Sequence, residues 1–295
     1  MAKKKSHYPV VRKSPLSNGA AANTLVDTAR NLSVLNRRLY RYGRNYEVKV
    51  DLRNDHVGQV QVFALRDDWA VQKAFQMAYQ SYLDNTMHER EAMTGNQVAR
   101  WEDFRCRDGL TLSKNDARPV MHTVAGAATV LTAGEFVNSQ VVDNAGTEKT
   151  YTWGNAATDR YSILEEYDKA GNAQTAPESV VTGANVPYGG IDANIDGETA
   201  DNLENAGNLP PYDQDGVNAT SPWVRVAVLG GTAGTQKLSS GFFTAPCGLV
   251  LLVGYGSDDT NYGASLEVKA GDYKGVHAPS MIEVATVNRK RKVVK

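Results

Sequence analysis

Cysteine is scarce in this 295-residue chain: Cys106 and Cys247 are the only two, and they lie far apart in sequence. That excludes a disulfide framework and a CxxC metal knuckle, and two reduced thiols in or near the core are expected instead. No apolar run approaches the ~20 residues of a membrane span, so no membrane partner is expected. Nor does an apolar stretch of roughly 7–15 residues follow the basic N-terminus, so no secretory signal is expected. Asn31-Leu-Ser33 and Asn218-Ala-Thr220 then read as chance matches to a glycosylation acceptor.

Catalytic spacing is missing as well. The histidines, His7, His56, His88, His122 and His277, form neither HxxxH nor HExxH. His88-Glu89 starts like a zinc helix, but position 92 is Ala. There is no G-x-S-x-G elbow. Gly230-Gly231-Thr-Ala-Gly234-Thr lacks the Lys-Ser/Thr end of a phosphate loop and reads as a turn between strands. No enzyme activity and no cofactor are expected.

Positive charge is missing from the middle of the chain and abundant at its ends. Residues 1–44 carry Lys3, Lys4, Lys5, Arg12, Lys13, Arg30, Arg37, Arg38, Arg41 and Arg44 against one acid, Asp27. The last seven residues add Arg289, Lys290, Arg291, Lys292 and Lys295. The whole chain is −1, which leaves residues 45–288 at −15. Residues 170–222 hold no Lys or Arg but eight acids (Glu178, Asp192, Asp196, Glu198, Asp201, Glu204, Asp213, Asp215), and read as a long acidic surface insertion. Within it, Asp192, Asn194, Asp196 and Glu198 match the first half of a calcium loop, with Gly197 at its sharp turn. The bidentate acid is misplaced, since Leu203 stands where it belongs and Glu204 is one residue late, so a solvated acidic loop is the default and no metal is assigned.

Basic tails on a non-basic body suggest a globule that packs against something else while its tails hold a polyanion. Arg37-Arg38-Leu39-Tyr40-Arg41-Tyr42-Gly43-Arg44 is the most specific part. Arginines can pair with phosphates, and interleaved tyrosines can stack on exposed bases of a single strand. The alternative is an arm whose tyrosines pack on the body. The lysine-arginine clusters also resemble nuclear-import signals.

Periodicity gives the fold class. Residues 1–24 lack an apolar period and read as a flexible arm. Residues 25–42 read either as a short amphipathic helix or as an irregular arm along a neighbour. Tyr46, Val48, Val50 and Leu52 alternate with polar residues, as in a half-buried strand, and Val57–Leu65 follows as a second strand. Val71, Phe75, Ala78 and Tyr82 have helical spacing behind a cap at Asp67 or Asp68. Strands are then expected at Glu135–Val142, Lys149–Trp153, Tyr161–Tyr167, Pro222–Leu229, Gly241–Ala245, Gly248–Tyr255, Ala264–Ala270 and Met281–Val287. Gly248–Gly254 is apolar throughout, as suits a strand buried on both faces. The expectation is an all-β chain: a jelly-roll sandwich of two antiparallel sheets, one helix in an early connection, and a flexible basic N-terminal arm. Its parts are the arm (1–44), a shell domain (45–288) carrying the insertion 170–222, and a basic tail (289–295).

In the order and composition of these parts the chain resembles the single jelly-roll capsid proteins of small icosahedral viruses, those of single-stranded DNA viruses most closely in size and arm composition, with those of positive-strand RNA viruses similar too. The resemblance implies a virion protein, resident in the host cell during assembly and in the nucleus of a eukaryotic host. Its partners would be further copies of itself in a closed shell and a single-stranded nucleic-acid genome. With roughly 60 copies, termini of +14 each would neutralise phosphates on the order of a kilobase of single strand. The resemblance also implies that the acidic insertion faces outward, and that a sandwich without residues 1–44 and 289–295 still folds. Competing readings are a vertex, spike or decoration protein, a cellular single-strand-binding protein, and a carbohydrate-binding jelly roll stacking sugars on Trp69, Trp101, Trp153 or Trp223.

Overall fold

A computed structural model describes residues 9–17, 23–52, 58–92, 101–143, 145–171, 222–231, 237–255 and 263–282. Its strands are β1 (Lys13–Pro15), β2 (Asn23–Asp27), β3 (Asn45–Leu52), β4 (Gln59–Leu65), β5 (Asn115–Ala117), β6 (Val120–His122), β7 (Ala128–Val130), β8 (Gln140–Val142), β9 (Glu148–Thr152), β10 (Arg160–Ser162), β11 (Trp223–Gly230), β12 (Phe243–Pro246), β13 (Leu249–Tyr255), β14 (Ala264–Val268) and β15 (Ala270–Tyr273). The helices are α1 (Thr28–Asn36), α2 (Trp69–Asn85), α3 (Met87–Ala92) and α4 (Ile163–Gly171).

The molecule is mostly β, with two main sheets and few helices, compatible with an all-β sandwich. One sheet runs β1-β14-β3-β12, antiparallel at every step. The other runs β11-β4-β13-β2-β5, antiparallel except where β5 lies parallel to β2. Two small sheets, β10-β9-β8 and the hairpin β6-β7, belong to the long connection between β4 and β11. The expected pair of purely antiparallel sheets is corrected at β2–β5 and at β9–β10, both parallel.

Alternation explains the first core. Tyr46, Val48, Val50 and Leu52 of β3 point inward and are buried, while Glu47, Lys49 and Asp51 point out. They meet Val60 and Val62 of β4, Val250 and Leu252 of β13, and Leu266 and Val268 of β14. The intervening residues of the five-stranded sheet, Leu25, Leu249 and Leu251 among them, face the other way into a second core. There they meet Val71, Ala74, Phe75 and Ala78 of α2, together with Phe104, Trp153, Ile163 and Leu164. Strand β13 is therefore buried on both faces, as its unbroken apolar run requires. The connection between β4 and β11 forms a third layer over the five-stranded sheet. The turn into β13 takes left-handed backbone at Cys247 (φ 56°) and Gly248 (φ 70°). A Cβ at Gly248 would lie 2.9 Å from Thr28 Cβ, so glycine is required there on two counts.

Several expectations are corrected. Residues 23–44 are not a free arm. Strand β2 sits between β13 and β5, and Val26, Ala29, Leu32 and Tyr40 belong to the first core. The apolar period of this stretch was too short to announce a strand running straight into a helix. The single early helix α2 has companions in α1, α3 and α4. Tyr161–Tyr167 is a strand only as far as Ser162, after which α4 begins and buries Ile163 and Leu164. Glu135–Val142 is a strand only from Gln140. Met281 and Ile282 form a bend, with Met281 plugged into the second core, and the rest of that expected strand lies outside the described residues.

Two predictions follow from the double burial. Leu252→Ala and Leu251→Ala, one in each core, should each cost about 2–5 kcal/mol in urea unfolding. Deleting residues 1–44 should abolish cooperative melting, because it removes a central strand, whereas deleting residues 1–8 should leave the melting temperature within a few degrees.

Candidate nucleic-acid interface

Asp27 ends β2 and caps α1, accepting from the Arg30 backbone N–H at 2.9 Å. The helix stops at Arg37, whose φ of 50° is left-handed. Residues 37–44 then cross the end of the sandwich to reach β3. The start of the described chain lies against the last residue of α1, where this crossing begins, and its end lies along the crossing itself. Val11 and the Asn36 side chain exchange hydrogen bonds (2.8 and 3.1 Å). The segment after β14 interleaves with it: the Arg41 backbone N–H donates to the Tyr273 hydroxyl (3.1 Å), Asn45 N–H to the Pro279 carbonyl (2.9 Å), and Met281 N–H to the Gly43 carbonyl (3.1 Å).

Arg37, Arg38 and Arg41 are exposed here. Arg44 is half-buried, with its guanidinium 3.5 Å from the Tyr273 ring centroid and its Nη1 donating to the Ala278 carbonyl (2.7 Å). Lys274 joins them, donating to the Leu39 carbonyl (2.6 Å). Burial lowers the Lys274 pKa, and the positive charges of Arg41, Arg38 and Arg44 lower it further. This lysine is part of the cluster that sequence reasoning missed, because a single Lys in a turn carries no pattern. The tyrosines do not serve as stacking platforms. Tyr40 and Tyr42 are buried, and the Tyr42 hydroxyl accepts from Trp153 Nε1–H (2.8 Å) and donates to the Cys106 carbonyl (3.1 Å). The alternating Arg-Tyr pattern is therefore one wet face and one dry face.

A buried charge network holds the crossing to the third layer. Arg105 is buried and bonds the Asp27 oxygen that α1 does not use. Its guanidinium also lies 4.8 Å from the Tyr42 ring centroid and 4.9 Å from that of Phe136. Asp103 accepts from Tyr42 N–H (2.7 Å), with Arg41 and Arg105 each 3.7 Å away. Burial pushes the Asp103 carboxyl up to about 6, against the opposing pull of that hydrogen bond and the two arginines. Arg105 and Asp103 show no motif in the sequence, since their partners lie in other segments.

Not every expected contact residue joins the cluster. Lys13 pairs with Asp51 (3.1 Å) and Glu267 (3.6 Å) on the outer face of the four-stranded sheet. Arg30 pairs with Asp116 (3.1 Å). Arg12 is half-buried beside β14, its carbonyl accepting from Val268 N–H. Lys3, Lys4, Lys5, Arg289, Lys290, Arg291, Lys292 and Lys295 lie outside the described residues, as do the calcium candidates Asp192, Asn194, Asp196 and Glu198. Among the described residues no group of His, Cys, Asp and Glu is placed to hold a metal, and no helix is long and apolar enough to cross a membrane. Both cysteines are buried and free. Asn31, the first glycosylation-like asparagine, is buried. Of the tryptophans, Trp153 and Trp223 are core, whereas Trp69 and Trp101 are exposed. No family model, curated protein or solved structure matches the chain.

The Asp103 carboxyl supplies a pH test. Its raised pKa means that the folded state holds the proton more tightly than the unfolded one. The favourable contribution is complete below about pH 4 and is lost as pH rises through about 6. The difference is worth on the order of 3 kcal/mol. Relative to Asp103→Asn, the wild type should therefore gain stability on acidification from pH 7 to pH 4.5, read from paired thermal melts. A constant difference between the two proteins would contradict this account.

Proposed function

We propose that this is a virion capsid protein: a jelly roll that assembles with its own copies into a closed icosahedral shell and holds a single-stranded genome through basic termini. Strand order supports the fold. Taken in chain order, β1, β2, β3, β4, β11, β12, β13 and β14 form sheets ordered first-eighth-third-sixth and second-seventh-fourth-fifth. All neighbours within these two sets are antiparallel, as in a sandwich of two interlocked Greek keys. Such folds serve lectins and other proteins too, so the fold alone does not choose the function.

The observation that carries the function is convergence. Of the residues at which the basic tails join the described chain, Pro9 lies two residues from Val11, which bonds the last residue of α1 just before Arg37, and Ile282 follows Met281, whose N–H donates to Gly43 of the crossing. The points at which both basic termini leave the described residues thus lie beside the exposed arginines 37, 38 and 41, which suits a polyanion passing several copies at once. The acidic insertion rejoins at β11, three strands from β2 but at the same end of the sheet, since Val224, Ala64, Val250 and Val26 lie in one row across it.

Mass photometry and negative-stain microscopy of the purified full chain test the assembly. Closed shells are expected, whereas trimers or pentamers would favour a spike or vertex protein. A monomer that ignores nucleic acid would overturn the reading. Deleting residues 1–8 and 289–295 should leave a folded protein that packages little nucleic acid and shows a flatter salt dependence of binding. Each lost phosphate contact lowers the slope by roughly 0.7 for a single strand.

A further inference from the structure

Next to Arg41 the surface opens into a hollow of about 290 Å³. Its aromatic wall comes from Tyr79 and Tyr82 of α2, one helical turn apart, with Phe104 between the layers. The Phe104 ring centroid lies 5.5 Å from that of Tyr79 and 5.2 Å from that of Tyr82, so packing holds both tyrosines in place. Both tyrosines are half-buried, unlike Tyr40 and Tyr42. Gly43 lets the crossing close in: a Cβ there would lie 2.8 Å from the Phe75 ring. Arg41 and Arg44 line the same hollow, as do Glu102 and Asp103.

This combination selects a ligand class. A bare phosphate would use the arginines but be repelled by the two carboxylates, and it would leave the aromatic wall idle. A purely apolar ligand would desolvate four charged side chains without return. A nucleotide has an anionic phosphate, a flat π-face and, in most bases, an amino group to donate. The volume sits at the lower end of the ~300–1,000 Å³ typical of small-ligand sites, enough for one base and too little for a duplex.

We propose that the hollow takes one unpaired nucleotide of the bound strand. Its phosphate lies on Arg41, its base stacks on Tyr79 and Tyr82, and an amino group on the base donates to Glu102. This rests on the nucleic-acid reading above and adds to it a built site that distinguishes single strands from duplex. The tails alone would supply charge without that distinction.

Fluorescence anisotropy on the full chain tests it, using an oligo-dC of about 20 nucleotides, an oligo-dT of equal length and a duplex, at several salt concentrations. Oligo-dC should bind about tenfold or more tightly than duplex, and several-fold more tightly than oligo-dT. Tyr79→Leu/Tyr82→Leu should weaken oligo-dC binding about tenfold or more with an unchanged salt slope, because no cation is removed. Arg41→Ala should instead reduce the slope by about one contact. Equal affinity for dC, dT and duplex, or a folded leucine variant that binds as the wild type does, would overturn the proposal. Should that variant fail to fold, ultraviolet crosslinking of wild-type protein to oligo-dC decides. Adducts on Tyr79, Tyr82 or Phe104 support the site, and adducts confined to the terminal segments sink it. If tail deletion abolishes binding while the hollow variants change nothing, only this inference fails. If the wild-type protein binds no polynucleotide at all, the functional reading fails with it.

Discussion

Four successive residues of β13, Leu249 to Leu252, have no side that can face water, and the layered arrangement depends on that constraint. A strand with two dry faces needs a cover on each. The four-stranded sheet supplies one, through Val48, Val50, Leu266 and Val268. The connection between β4 and β11 supplies the other, by laying α2 and the Phe104 and Trp153 segments over Leu249 and Leu251. That long connection is therefore a structural layer where it is described. Its removal would expose a sheet face too apolar for a soluble surface.

A second constraint is electrostatic and fixes the basic crossing. The Asp27 carboxylate satisfies a helix N-terminus with one oxygen and the buried Arg105 with the other. A buried arginine without that partner would be costly, so β2, α1 and the third layer are tied at one point. Tyr42, held between Arg105, Asp103 and Trp153, transmits this to the chain on either side of it. The exposed arginines 37, 38 and 41 then flank the buried Tyr40 and Tyr42.

Much of the fold was legible in the residues. Strand β3 shows its burial in strict alternation, α2 in its cap at Asp68 and its spacing from Val71 to Ala78, and β13 in its unbroken apolar run. Where the sequence misled, the physical reason is consistent. Strand β2 is five residues long, flanked by small polar residues, and leads into a helix capped by its own last residue, so neither period repeats often enough to be read. The short strands β1 and β5 are held by partners distant in sequence, not by their own propensity.

By itself the sequence determined the class of the fold, the segregation of charge and the lack of catalytic spacing, because these depend on local period and composition. Only the tertiary structure decided which arginines point to solvent, which are spent on Asp27 or Asp116, and that Lys274 joins the cluster from far along the chain. It also turned Tyr40 and Tyr42 inward and left Tyr79 and Tyr82 lining a hollow beside Arg41. Those outcomes depend on which distant surfaces are pressed together, and no window along a chain records that.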